Sequence, residues 1–465
     1  MRMKSPRAGE TNMVTAIGSP TSKPQWLDAG TQSLMDRTIA REKALSALLL
    51  TYILTGLAFM LLPGTFLGVW NLISISKLQA AQSVAPGWIQ AHGHAQIFGW
   101  VATFILGIGF YSIPKLRKMQ PIALWRAWAC WAMWTAGALL RWGVVILPWH
   151  WRALLPFSAV LELAAFALFF LTIGPAHATL KNEKMAWDTW VYVVIAGTTG
   201  LLLTLILQTL ESFSLALYGS SPAFPHLFDQ RYLVVAAWGF LVPMVWGFSA
   251  RWVTVFLGLR PLRPRLLLLA LALNSAGVLA ALFGFFALAS YALLAGALCA
   301  GAALRIFETS AKLPKVAGVH PSFPYFVRGA YLWLLISAML AVWASRNLLA
   351  SAGILGASRH ALTVGFVAAM IFSVGQRILP SFCGMHILAS PRLMFATLAL
   401  LMTGCVLRVG SEILAYQNFA AWAWNLLPVS AIIELTAVTL FTISLVWTFL
   451  RPPAVMPSPL TQFVE

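Results

Sequence analysis

Apolar residues run along this chain in twelve blocks, at 45–65, 93–113, 122–147, 154–175, 188–210, 231–256, 264–285, 287–306, 326–346, 360–380, 392–413 and 423–450, parted by short polar stretches. A helix of about 20 residues crosses a hydrocarbon core of about 30 Å, and each block has that length. Lipid supplies no water to the backbone, so a spanning segment is a helix or part of a closed barrel. The absence of polar alternation within the blocks excludes the barrel. The pattern predicts an all-α membrane protein of about 12 transmembrane helices, multi-pass in the lipid bilayer.

Composition agrees with that reading. The chain is 60% hydrophobic and 9% charged over 465 residues. Its net charge of +18 could point to nucleic acid, but the distribution assigns it elsewhere. With the N-terminus inside and twelve helices threaded, 24 of the 31 Lys and Arg fall on the cytoplasmic face and 7 on the outer one. The positive-inside rule accounts for this without a polyanionic partner and places both termini in the cytoplasm. Lys115, Arg117 and Lys118, and Arg260, Arg263 and Arg265, are examples. Residues 1–42 read as a polar, flexible cytoplasmic tail, 43–450 as the transmembrane domain, and 451–465 as a second cytoplasmic tail. No cleavable signal peptide is expected. The four cysteines, Cys130, Cys299, Cys383 and Cys405, form no CxxC or CxxCH, so neither covalent haem attachment nor a zinc ribbon is indicated. The 21 tryptophans gather near span ends, as an interfacial belt does.

The blocks are related to one another. HAQIFGWVATFILGIGFYSIP from His94 and HALTVGFVAAMIFSVGQRILP from His360 share 8 of 21 positions, against roughly two expected by chance. Gly137, Leu140, Arg141 and Gly143 recur as Gly404, Leu407, Arg408 and Gly410. LLPFSAVLELAAFALF from Leu154 recurs as LLPVSAIIELTAVTLF from Leu426, which pairs Glu162 with Glu434. Helices 1–4 and 9–12 thus read as copies of one four-helix unit, with helices 5–8 as a diverged third. The unit bounds are 43–180, 181–320 and 321–450. An even number of helices separates the copies, so His94 and His360 enter their helices from the same side, near the periplasmic face.

Two imidazoles at equivalent positions of duplicated helices suit the axial ligation of a b-type haem. The plain alternative is a pair of helix-start residues bonded to interfacial water. His92 lies two residues before His94, about 200° away around a regular helix. His150 in PWHW and His226 in FPHLFD share the outer face, and imidazoles gathered there could hold copper. His177, His320 and His386 fall on the opposite side. Ionisable residues inside spans are costly and tend to be functional. Arg141 and Arg408 could meet haem propionates, or pair with Glu162 and Glu434, and Glu412 could also neutralise Arg408. No Walker loop, Ser–His–Asp arrangement, HExxH or nucleotide fingerprint occurs, and no catalytic residue is assigned.

The chain resembles the NnrS family, haem- and copper-containing membrane proteins of the bacterial response to nitric oxide. HGHAQIFGW (His92, His94, Phe98, Gly99) is similar to that family's first signature, and RGAYLWLL (Arg328, Tyr331, Trp333) followed by HALTVGFVAAMIFSVGQR (His360, Thr363, Gly365, Arg377) to its second. Two departures are Ala95, where the family carries Glu, and CGMHILASPRL in place of GHTGRPL. The resemblance implies a bacterial inner-membrane protein that holds haem b and copper, with nitric oxide or another small diatomic as ligand and an electron-transfer partner not named by any motif. His92, His94, His360 and His226 are then the metal candidates, and His94, His360, Arg141 and Arg408 the haem contacts. The three-unit layout also resembles subunit I of haem–copper oxidases and nitric oxide reductases, in which helices 2 and 10 carry the low-spin haem. The His residues such enzymes need in helices 6, 7 and 10 for a dinuclear centre are missing here. Alternatives of a different class are an oxidoreductase with an atypical site, and a transporter of metal, haem or a small solute. The strongest repeats are parallel, whereas transporters usually carry inverted ones.

Overall fold

The computed structural model describes residues 29–116, 121–174, 188–346, 351–382 and 388–451. The chain divides into two compact units, Met1–Ala44 and Leu45–Glu465. The described part of the first is helical from Ala29 onward, within the segment expected as a loose tail. Twelve helices are long and apolar enough to cross a membrane. They are α1 (Ser33–Leu78), α2 (Pro86–Leu116), α3 (Leu124–Ile146), α4 (Trp151–Ile173), α5 (Thr189–Tyr218), α6 (His226–Phe256), α7 (Pro264–Leu282), α8 (Phe286–Ala303), α9 (Phe323–Arg346), α10 (Gly353–Phe382), α11 (Pro391–Tyr416) and α12 (Ala423–Leu450).

Helix starts follow local chemistry. Pro86, Pro264 and Pro391 stand in the first turn, where a missing N–H costs nothing and φ is already helical. Ser390 caps α11 by accepting from the Leu393 N–H at 3.2 Å. The helices α2, α6 and α10 begin five to seven residues earlier than hydropathy predicts. Gln90, His92, Asp229, Arg231, Ser358 and Arg359 lower the apolar average there, yet the helix continues, and all but Arg231 have a hydrogen-bond or charge partner within the protein. His226 accordingly becomes the first residue of α6 instead of a loop residue.

Consecutive helices pack on one another, and α12 packs back on α1, so the twelve close into a ring. The hairpins α3–α4, α7–α8 and α11–α12 pack extensively. Each brings a glycine against the facing helix. A Cβ at Gly137 would stand 2.7 Å from Glu162 Cγ, one at Gly404 2.6 Å from Glu434 Cγ, and one at Gly277 2.8 Å from Leu293 Cγ. Three inner helices widen to π-helix at matching places, Ala95–Ala102 in α2, Val235–Leu241 in α6 and Ala361–Ala368 in α10. They start directly after His94, Val234 and His360, and carry Gly99, Gly239 and Gly365 at the same offset. A π-turn spaces its carbonyls and side chains irregularly and tends to mark functional positions. Further π-turns occur at Met60–Phe66 in α1, around Pro63, and at Ser249–Val253 in α6.

The spaces left by glycine are filled by neighbouring helices. A Cβ at Gly99 would meet the Phe59 ring at 2.5 Å, and one at Gly365 the Trp333 side chain at 2.5 Å. The core is aromatic, with Tyr52, Trp134, Trp246, Tyr331, Phe366, Phe372 and Phe441 fully buried. Trp70, Leu171, Leu288 and many other large apolar side chains point outward, as a lipid-facing surface requires.

Candidate functional site

The structure brings His92, not His94, to His360. His92 and His360 lie within electrostatic range of each other and of Arg408. His92 Nδ1 is 2.9 Å from the Gly64 carbonyl oxygen. His360 Nδ1 is 3.0 Å from the Gly356 carbonyl oxygen and 3.3 Å from Glu412 Oε2. All of these partners only accept, so in both rings Nδ1 carries the proton and Nε2 keeps its lone pair. Neither Nε2 has a hydrogen-bond partner among the described residues. The His360 side chain is 27% exposed.

Arg408 is 5% exposed, and its NH2 stands 3.4 Å from Glu412 Oε2. Its Nε and NH1 are buried with no partner at all. A guanidinium left two donors short beside two imidazoles with free lone pairs is a cradle for a bound anionic group. Further along the same helices, Phe372 of α10 stacks on Phe441 of α12 at 3.8 Å, and Trp100 of α2 meets Phe372 edge-on at 6.0 Å.

His94 turns the other way, as the 200° offset from His92 requires. Its Nε2 is 2.8 Å from Glu162 Oε1, and its ring stacks on Phe98 with centroids 4.6 Å apart. Gln208 Nε2 donates to Glu162 Oε2 at 2.7 Å, and the Tyr232 hydroxyl donates to Gln208 Oε1 at 2.7 Å. Every carboxylate oxygen of the fully buried Glu162 is therefore taken. Arg141 donates to the Ser212 hydroxyl at 3.3 Å and lies over the Phe224 ring at 4.1 Å. The pairs Arg141–Glu162 and Arg408–Glu434, expected as one of two readings, do not form ion pairs. Glu162 is engaged by His94, and Arg408 by Glu412 one turn along its own helix.

Those charges nonetheless belong to one string. Glu162, Arg141, Asp229, Arg359, Glu412, Arg408 and Glu434 alternate in sign, and each lies within electrostatic range of the next. Arg359 also donates to Gln230 Oε1. The string joins the two histidine clusters across α3, α6, α10 and α11. Asp229 and Arg359 were not singled out in the sequence. The signal that could have found them was their place inside a helix that hydropathy alone had cut short.

Other candidates lie apart. His226 opens α6 within electrostatic range of Asp229. His150 caps α4 in a left-handed conformation, with its ring edge-on to Trp149 at 4.5 Å. His320 is held by the Ser322 hydroxyl at 2.7 Å beside Phe395. His177, His386 and Cys383, like Arg117 and Lys118, fall outside the described residues. Cys130 and Cys405 are buried and free, and Cys299 is half-buried and free. No group of three or more His, Cys, Asp or Glu is placed to hold an ion among the described residues. Two of the motif residues serve the fold. Arg328 donates to the carbonyls of Ile306 and Glu308, and Arg377 to that of Ala317, tying down the loop before α9. In that loop Arg305 and Arg263 hold the exposed Glu308 carboxyl below the usual carboxylate range.

Comparison with known proteins gives the same picture at the level of fold. A haem–copper terminal oxidase dimer solved by cryo-EM is similar in structure, with a TM-score of 0.65 and 13% sequence identity, over 89% of this chain and 86% of that one. Among curated proteins none matches the chain in sequence. The NnrS protein family model matches residues 48–453, which takes in every span from α2 to α12 and most of α1, and the chain is a member of the NnrS family.

Proposed function

We propose that this protein binds a b-type haem between α2 and α10, with His92 and His360 as its two axial ligands and Arg408 facing the propionates. The observation that carries the reading is the pair of rings whose Nδ1 protons are committed to acceptors and whose Nε2 lone pairs are free. Metal-bound histidines characteristically give their other ring nitrogen to a carbonyl or carboxylate, which sets tautomer and ring orientation. Two neighbouring imidazoles with free Nε2 lone pairs suit a flat macrocycle better than a closed ion cage, which takes three or four ligands. The buried Nε and NH1 of Arg408 fit a carboxylate partner. Geometry supports His92 over His94, since His94 Nε2 is bonded to Glu162.

The haem would supply a ligand-binding, one-electron metal centre. The chain's own residues orient it, neutralise its acidic edge and exclude water from below. Family membership and the family's link to nitric oxide support a role in nitric oxide response or metabolism. The charge bias supports an inner-membrane protein with both termini in the cytoplasm and the site near the periplasmic face. The matched π-turns and the matched glycine contacts of three hairpins support the division into three four-helix units. In the middle unit Val234 and Leu293 stand where the outer units carry His and Glu, so the two residue types are lost together. The oxidase-like fold favours a second reading, an oxidoreductase with an atypical site. Copper has weaker support than haem, because His226, His92 and His94 do not converge.

Optical spectra of the purified full chain, oxidised and reduced, test the proposal. A low-spin b-type spectrum is expected, lost or turned high-spin in His92→Ala and His360→Ala and kept in His94→Ala and His320→Ala. Unchanged haem content and spin state in both of the first two would sink the ligand assignment. Consumption of nitric oxide by reduced protein would favour the oxidoreductase reading over binding alone.

A further inference from the structure

The two imidazoles of the paired site are anchored unequally, and we infer that the inequality decides which ligand yields: His360 is the permanent one, and a neutral diatomic molecule enters on the His92 side. This rests on the haem-binding reading above.

His92 Nδ1–H has one acceptor, the neutral Gly64 carbonyl, which also accepts the Leu67 N–H. That carbonyl belongs to the π-turn of α1, whose Met60 and Pro63 carbonyls take Gln96 and Trp142 in the same way. The ring itself sits in a notch that exists only because residue 68 is glycine. A Cβ there would stand 2.7 Å from His92 Cε1 and 2.9 Å from Nδ1. His360 Nδ1–H donates to the Gly356 carbonyl and also stands 3.3 Å from the Glu412 carboxylate, a charged neighbour that His92 lacks and that is itself in contact with Arg408. Gly356 lets that carboxylate press against α10, because a Cβ there would stand 2.1 Å from Glu412 Oε1. An imidazole leaning on a carboxylate is a stronger donor than one leaning on a shared carbonyl, and outer partners of this kind shift metal affinity by about 10–100-fold.

His92 Nε2 would be the donor that gives way to the diatomic, one neutral donor replacing another with no electron or proton transferred. His92 stays neutral, with its proton on Nδ1 toward Gly64. Gln96, one turn beyond His92, is tied to the same π-turn of α1 and has its Oε1 buried without a hydrogen-bond partner among the described residues.

Carbon monoxide added to the reduced, haem-loaded full chain is the probe. His92→Ala should keep its haem, become high-spin, and bind carbon monoxide several-fold faster than wild type. Its adduct should match the wild-type adduct spectrally, because the opposite ligand is His360 in both. His360→Ala should lose most of its haem. Glu412→Gln should weaken haem retention by about tenfold and raise the midpoint potential, which a purely structural role for Glu412 would leave in place. Should His92→Ala fail to fold, Gly68→Ala serves instead: its methyl displaces the ring and should raise both the high-spin fraction and the carbon monoxide on-rate. Haem retention by His360→Ala with a wild-type adduct spectrum overturns the inference, as does equal haem loss from both alanine variants. A wild-type chain that holds no haem would instead remove the function proposed above.

Discussion

His94 and His360 each stand directly before a π-turn in helices of similar sequence, yet the structure puts them to different uses. His94 is closed off. Its Nε2 goes to a carboxylate whose remaining oxygen is claimed by Gln208, and Gln208 is claimed in turn by Tyr232. His360 keeps Nε2 open and lies within electrostatic range of His92, beside an arginine with two unmatched donors. The difference lies in the carboxylates. Glu162 reaches His94, whereas the similarly placed Glu434 leaves Oε1 without a hydrogen-bond partner among the described residues, and Glu412, which has no acidic counterpart in α3, stands 3.3 Å from His360. A repeat copies a backbone position and a residue type. It does not copy the neighbours that decide whether a polar side chain is spent on structure or left available for chemistry.

The largest test of that contrast is removal of each histidine. His94→Ala leaves Glu162 Oε1 buried without its hydrogen-bond partner, at about 1–3 kcal/mol or more for a buried polar group so uncovered. It should lower the melting temperature of the detergent-solubilised protein sharply while haem per folded chain is unchanged. His360→Ala should do the reverse. Equal effects on both measurements would erase the distinction between a structural and a binding histidine.

Glutamate substitutions sharpen the comparison at smaller cost. Tyr232→Phe leaves Gln208 Oε1 without its donor, and an unsatisfied buried acceptor costs about 1–3 kcal/mol. The loss should appear in thermal unfolding and not in the spectrum. Glu434→Gln, by contrast, removes a carboxylate whose Oε1 makes no hydrogen bond, and should leave the melting temperature close to wild type. A loss as large as that of Glu162→Gln would mean that Glu434 is as fully engaged as its counterpart.

The hairpin glycines offer the finest comparison. A methyl at Gly137 or Gly404 would press on a glutamate Cγ, and one at Gly277 on Leu293. Overpacking of this kind costs about 1–3 kcal/mol. Gly137→Ala should cost the most, since Glu162 is held by two hydrogen bonds and cannot move aside. Gly404→Ala should cost less, since Glu434 can shift. The opposite order would show that the backbone approach, not the carboxylate, sets the tolerance.

Much of this was legible in the residues alone. Twelve apolar blocks forbid anything but helices in lipid, because an unsatisfied peptide group there costs too much. The recurrence of His94, Arg141 and Glu162 as His360, Arg408 and Glu434 marked the helices that matter. The pairing of these residues was not legible. His92 and His94 differ by two positions, and only the rotation of α2 against α1, α4 and α10 decides which ring meets which helix. Hydropathy also concealed Asp229 and Arg359, because a window average treats a satisfied buried charge as a loop. The helix count, the parallel repeat and the residue types at risk follow from local patterns, since burial of backbone and apolar surface is decided segment by segment. The choice of His92 as the partner of His360, the diversion of His94 to Glu162 and the string of alternating charges are long-range facts, because hydrogen bonds between helices depend on packing that no single segment contains.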